Sequence, residues 1–211
     1  MGFLSNLAGK APGAAAPLAP VPRPIGVIPH FTQHSTQIAL QVREQKMSMS
    51  GDDFSVKDAV TGNTMFKVDG SYFSMRDKKN ITDASGNPLF TVKKKLIAIH
   101  STYVGTSPKT DDVIFTVKSS FSLGTKLTAT FKNVAGDGQE TELVLRGDLL
   151  DRSAEITTKD GIPVARIARS FVNAGELLFD KQTYVLTVAP GVDAALLLAI
   201  CICLDEKANE K

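Results

Sequence analysis

From Gln37 onward the chain alternates apolar and polar residues in short runs. Examples are Gln37-Ile38-Ala39-Leu40-Gln41-Val42, Met65-Phe66-Lys67-Val68 and Val113-Ile114-Phe115-Thr116-Val117. A period of two, rich in β-branched and aromatic residues, puts an apolar face on one side of a strand and a wet face on the other. About a dozen such runs follow at regular spacing, the pattern of a barrel or sandwich, ending with Thr183-Tyr184-Val185-Leu186-Thr187-Val188. Three connections carry an Asp with a Gly shortly after it: Asp58 with Gly62, Asp83 with Gly86, and Asp160 with Gly161. Asp binds turn amides and Gly supplies a positive φ, so these segments predict hairpins. Calcium loops would need several carboxylates at alternating positions and a closing Glu, which none of them has.

The alternation stops at Pro190-Gly191, and from Ala194 to Leu204 every residue is apolar. A helix there is hydrophobic on all faces and must be buried all round. Asp193 stands where its oxygen can accept the amides of the first turn, so it is the candidate N-cap. Leu196, Leu197, Leu198, Ile200, Cys201 and Leu204 are the candidate core positions of this helix. At about 1.5 Å per residue the apolar run spans roughly 17 Å, against the roughly 30 Å hydrocarbon core of a bilayer. The helix therefore reads as a core element rather than a membrane span. A half-wet sheet that closes on itself loses its edges and offers an apolar interior to such a helix. The predicted fold is all-β with one helix, a closed antiparallel barrel around a buried hydrophobic C-terminal helix.

Three segments follow from this pattern. Residues 1–29, with the run Ala14-Ala15-Ala16-Pro17-Leu18-Ala19-Pro20-Val21-Pro22-Arg23-Pro24, form neither helix nor central strand and are expected to be an extended, disordered leader. Residues 30–206 are the expected barrel domain, and 207–211 a short tail. Met1-Gly2 lacks the Ser or Thr at the sixth position that a myristoylation signal wants, since Asn6 stands there.

Composition adds little to the fold and more to the function. With 211 residues, 43% hydrophobic and 22% charged, the chain can bury a sizeable core. The first residues lack the charged start and apolar run of a signal peptide, so the expectation is a cytoplasmic protein. A net charge of +2 implies no nucleic-acid partner, and Trp, a favoured base-stacking residue, is absent.

Candidate catalytic and metal chemistry is sparse. His30 and His34 are four apart, but Pro29 precedes them and no acidic third ligand lies between. His100 stands without a nucleophile that spacing can nominate. Gly124-Thr125-Lys126 lacks the earlier glycine of a P-loop, with Ser119 in its place, and no Gly-x-Ser-x-Gly elbow is present. Cys201 and Cys203, two apart on the helix, point in different directions and read as small core residues. No metal, cofactor or catalytic residue is implied, and the expectation is a protein that is not an enzyme. The basic residues Arg76, Lys78, Lys79, Lys93, Lys94 and Lys95 flank neighbouring strands. On one barrel face they would form a site for an anionic lipid headgroup, each contributing about 1 kcal/mol near a charged membrane.

Two segments carry a family resemblance. Phe54-Ser55-Val56-Lys57-Asp58 with Gly62-Asn63-Thr64-Met65-Phe66-Lys67-Val68, and the tail Val188-Ala189-Pro190-Gly191-Val192-Asp193-Ala194-Ala195-Leu196, resemble the LURP-one-related family. The hairpin from Ile81 to Val92 is similar to it as well, and the likeness runs from about Ile25 to Glu206. The resemblance implies a tubby-like C-terminal fold, a barrel of about twelve strands around a hydrophobic helix. It also implies kinship with phosphoinositide-binding tubby proteins and phospholipid scramblases, and, for plant members, stress or defence signalling. The expected function is a non-enzymatic module that binds phosphoinositides, as a peripheral protein of the plasma membrane, or binds a protein partner. The alternatives are a scramblase-like protein whose terminal helix inserts in a bilayer, and an enzyme using the barrel mouth.

Overall fold

The structure, a computed structural model, describes residues 16–45, 53–70, 78–120, 125–148, 153–169 and 183–209. Twelve strands follow in order: β1 (Ile38–Gln45), β2 (Asp53–Asp58), β3 (Thr64–Gly70), β4 (Lys78–Asp83), β5 (Pro88–Lys94), β6 (Thr102–Thr106), β7 (Val113–Ser119), β8 (Thr125–Lys132), β9 (Glu140–Asp148), β10 (Ser153–Thr158), β11 (Pro163–Arg169) and β12 (Thr183–Val188). Each pairs antiparallel with its sequence neighbours, and β12 closes the barrel on β1, with Leu40 opposite Leu186. The closed all-β barrel read from the alternation is the observed fold, and it leaves no sheet edge exposed.

Strand phase follows the sequence pattern. Phe66 and Val68 on β3, Phe115 and Val117 on β7, and Leu127, Ala129 and Phe131 on β8 turn inward and are buried. Registers shift at Val56/Lys57, Ile81/Thr82, Gly105/Thr106 and Ile156/Thr157, each beside a strand connection at the same end of the barrel. Such bulges raise the local twist and help a sheet to curl. In two hairpins the Asp takes the predicted role. Asp58 accepts the amides of Val60 and Thr61, and Asp83 those of Ser85 and Asn87. In the third, the hydroxyl of Thr158 rather than Asp160 accepts the amide of Ile162. Gly62, Gly86 and Gly161 all have positive φ.

Helix α1 (Ala194–Asn209) runs through the barrel from the hairpin end, and every residue from Ala194 to Leu204 is buried. Leu196, Leu197, Leu198, Ile200, Cys201 and Leu204 all lie in this core. The helix continues through Lys207, past the expected boundary at 206, because its polar last turn finds partners at the barrel mouth: Glu206 meets Lys79 at 3.2 Å and the Lys207 ammonium donates to Ser101 Oγ at 3.1 Å.

Residues 16–29 depart from the expected disordered leader. They form a strap across the hairpin end. Leu18 and Val27 are buried against the core, Ile25 bridges Val192 in parallel, and the Ile25 carbonyl accepts the Asp193 amide at 2.8 Å. The Gly26 amide donates to Asn133 Oδ1 at 2.8 Å, and Asn133 Nδ2 donates to the Pro24 carbonyl at 3.1 Å. Proline prevents helix and central strand here, but an extended chain can still satisfy its amides against loops of the barrel. A 3-10 turn, Pro29–Thr32, then leads into β1.

Candidate functional site

The outer wall around β4 and β5 brings part of the predicted basic set together. Lys78 on β4 and Lys93 on β5 are register partners, and both belong to the outward phase of their strands, with Asn80 and Thr91 next along the same face. Thr91 Oγ1 donates to Asn80 Oδ1 at 3.0 Å. Like charges directly opposite on neighbouring strands repel. A third group partly offsets the repulsion: the Lys93 ammonium forms an ion pair with Asp111, brought over by the β6–β7 loop. Thr106 Oγ1 donates to the same carboxylate oxygen at 3.1 Å. Hydrogen bonds from Lys93 and Thr106 hold the Asp111 carboxyl below the usual carboxylate range. Asp111 has φ of 59°, a left-handed conformation that Asp tolerates better than most residues.

The loop also encloses an open groove of about 510 Å³ whose walls include Lys78, Asn80, Thr91, Lys93, Lys109 and Asp111. Three ammonium groups and one carboxylate thus face a polar cleft with hydroxyl and amide groups between them. Such an arrangement suits an anion bearing several oxygens, which can accept from lysines and hydroxyls at once.

The remaining predicted residues do not join this face. Lys79 is 4% exposed, shares the inward phase of Ile81, pairs with Glu206 and lies 5.7 Å from the Phe54 ring centroid. Lys94 shares the inward phase of Phe90 and Val92 and is half-buried at the mouth, while Lys95 is exposed just past the strand. Arg76 lies outside the described residues. Sequence reasoning missed Asn80, Thr91, Lys109 and Asp111 as one site. Only the fold brings the β6–β7 loop over β5, although Ser107-Pro108-Lys109-Thr110-Asp111 carries the composition of a turn.

The histidines do not form a pair. The His34 ring nitrogens face the carbonyl oxygens of Thr36 and Val192 at 2.9 and 2.8 Å, and His30 packs against Phe31. Among the described residues no three His, Cys, Asp or Glu side chains cluster as metal ligands. Cys201 and Cys203 are free and buried, and burial pushes both thiols up. No helix among the described residues is long and apolar enough to cross a membrane.

A family model described as LURP-one-related matches residues 38–205, nearly the whole barrel and helix. The chain belongs to the LURP-one-related family. Among Arabidopsis thaliana relatives, it is 27% identical to protein LURP-one-related 15 over 199 residues, covering 91% of this chain and 90% of that protein. It is 28% identical to LURP-one-related 1 over 206 residues, covering 93% and 90%. An X-ray structure of an Arabidopsis thaliana protein has the same fold with a TM-score of 0.59 and 24% identity, covering 86% of this chain and 96% of that one. The LURP-one-related match begins at Ile38, so the strap lies ahead of the matched residues.

Proposed function

We propose that this LURP-one-related barrel is a non-enzymatic binding module that recognises an anionic phosphoinositide headgroup and holds the protein at the cytoplasmic side of a membrane. The observation that carries the reading is the direct opposition of Lys78 and Lys93 across β4 and β5, beside Lys109 and above a polar groove. Opposed lysines cost stability when the site is empty and contribute affinity when a multivalent anion lies between them. The buried helix plays no part in this reading, because its apolar surface is already covered by the barrel.

The test is a titration of isotopically labelled protein with a soluble inositol phosphate, followed by amide chemical shifts. Shifts are expected to concentrate at Thr91, Lys93 and Ser107 to Asp111. Asp111→Asn removes the carboxylate that competes for Lys93 and is expected to tighten binding a few-fold. Lys78→Ala is expected to weaken it about fivefold, the equivalent of about 1 kcal/mol. Shifts confined to the barrel mouth, or an Asp111→Asn variant that binds more weakly, would overturn the assignment of this groove.

A further inference from the structure

We propose that the β5–β6 loop is a bilayer anchor, with Leu96, Ile97 and Ile99 entering the interface of an anionic membrane while the neighbouring lysines meet its headgroups. The inference rests on the headgroup reading above and adds a second, apolar contact with a fixed orientation. Single exposed apolar side chains are ordinary on a protein surface, but a contiguous group marks a contact. Leu96 is 72% exposed, Ile97 97% and Ile99 93%, which with Val60 at 88% are the largest exposures among the described large apolar residues. All three fall in one stretch of four residues.

The loop has a fixed base under this apolar tip. The Lys95 amide donates to the Thr102 carbonyl at 2.8 Å, and the Ser119 amide to the Ser101 carbonyl at 2.9 Å. Lys207, in the last turn of α1, donates to Ser101 Oγ at 3.1 Å. An apolar tip on a tied base loses little freedom on insertion, which favours binding.

Charge complementarity identifies the occupant. Lys95 is exposed immediately before Leu96, Lys94 lies at the mouth beside it, and Lys93 leads to the lysine groove on the wall. An anionic surface would attract these lysines beside the loop. A basic, apolar-tipped projection matches the headgroup and acyl layers of such a surface, where lysine stems extend toward phosphate while aliphatic groups sink below it.

The chain contains no Trp, so Ile97→Trp creates a single fluorescent reporter. On vesicles of phosphatidylcholine with phosphatidylserine and phosphoinositide, its emission is expected to move to the blue and to be quenched by lipids brominated high on the acyl chain. Pure phosphatidylcholine should produce neither effect. The triple variant Leu96→Ser, Ile97→Ser, Ile99→Ser is expected to bind the anionic vesicles at least about tenfold more weakly. Its melting temperature and its affinity for the soluble inositol phosphate should not change. If the Trp variant pellets with vesicles while its emission stays that of water-exposed indole, the anchor is refuted and the headgroup reading stands. If neither soluble headgroup nor any vesicle binds the wild type, both fall. If the triple variant differs from wild type only by losing self-association in sedimentation velocity, the loop is a contact between copies and the anchor is refuted.

Discussion

Asp193 carries more of the structure than an N-cap does. Its Oδ1 accepts the amides of Ala195 and Leu196 at 2.9 and 3.1 Å, as a cap should. Its Oδ2 accepts those of Val27 and Ile28 at 3.0 and 2.8 Å, so one carboxylate fastens the strap to the start of the core helix. Gly26 permits the approach, since a Cβ there would stand 2.2 Å from the Asp193 Cβ. Burial pushes the Asp193 carboxyl up, and the four amide donors oppose that shift. Asp193→Asn is expected to keep the helix cap and turn its NH2 group toward the Val27 and Ile28 amides. Two buried donors then lose their acceptor at about 1–3 kcal/mol each. Urea denaturation should show a loss of about 2–6 kcal/mol, and an unchanged midpoint would mean that the strap is not held by this carboxylate. The cap was legible from Asp193 and the apolar run after it. The second half of the clasp was not, because it joins residues 166 and 165 positions apart in sequence.

At the scale of single elements, strand phase decides what each lysine does. Lys78, Lys79, Lys93 and Lys94 look alike in a charge count, yet the apolar parity of Ile81 and of Phe90 and Val92 already assigns Lys79 and Lys94 to the inward phase. That signal was present in the sequence and was obscured by grouping charges by proximity along the chain. Two variants separate the roles. Lys79→Ala is expected to lower stability by about 1–3 kcal/mol, less than for a fully buried pair because Glu206 is partly exposed, and to leave headgroup affinity intact. Lys78→Ala should do the reverse, so equal effects of the two on binding would contradict the assignment. On β6, Gly105 lies against Phe115, and a Cβ there would stand 2.0 Å from the ring. Phe115 also meets Phe90 edge-on at 5.3 Å, so it has little room to yield. Gly105→Ala is expected to cost at least about 1–3 kcal/mol by overpacking, measured by denaturant unfolding. A neutral result would show that the ring can move aside.

For the molecule as a whole, periodicity was sufficient for the architecture. Alternation supplies an apolar inner face, closure removes edges, and a helix apolar all round can only be satisfied inside. The strap was hidden for the opposite reason. Residues 16–29 have no periodicity, and their order comes from partners at Asn133, Pro190 to Asp193 and Gln37 that only the folded barrel assembles. The groove was half legible: Lys78 and Lys93 were named from sequence, but their opposition and the covering loop depend on register and on the path of β6 to β7. Together these features make a closed barrel with its core helix enclosed, a basic wall at β4 and β5, and an apolar-tipped loop at the mouth where α1 ends.

Co-sedimentation with liposomes tests the central claim most directly. Wild-type protein, and a variant with Lys78→Ala and Lys93→Ala together, would be spun with phosphatidylcholine vesicles with and without phosphoinositide, at low and near-physiological salt. The account predicts wild-type pelleting that requires phosphoinositide and weakens with salt, and a loss of about thirtyfold in the double variant. Pelleting that ignores phosphoinositide and salt, or a double variant that binds like wild type, would contradict it.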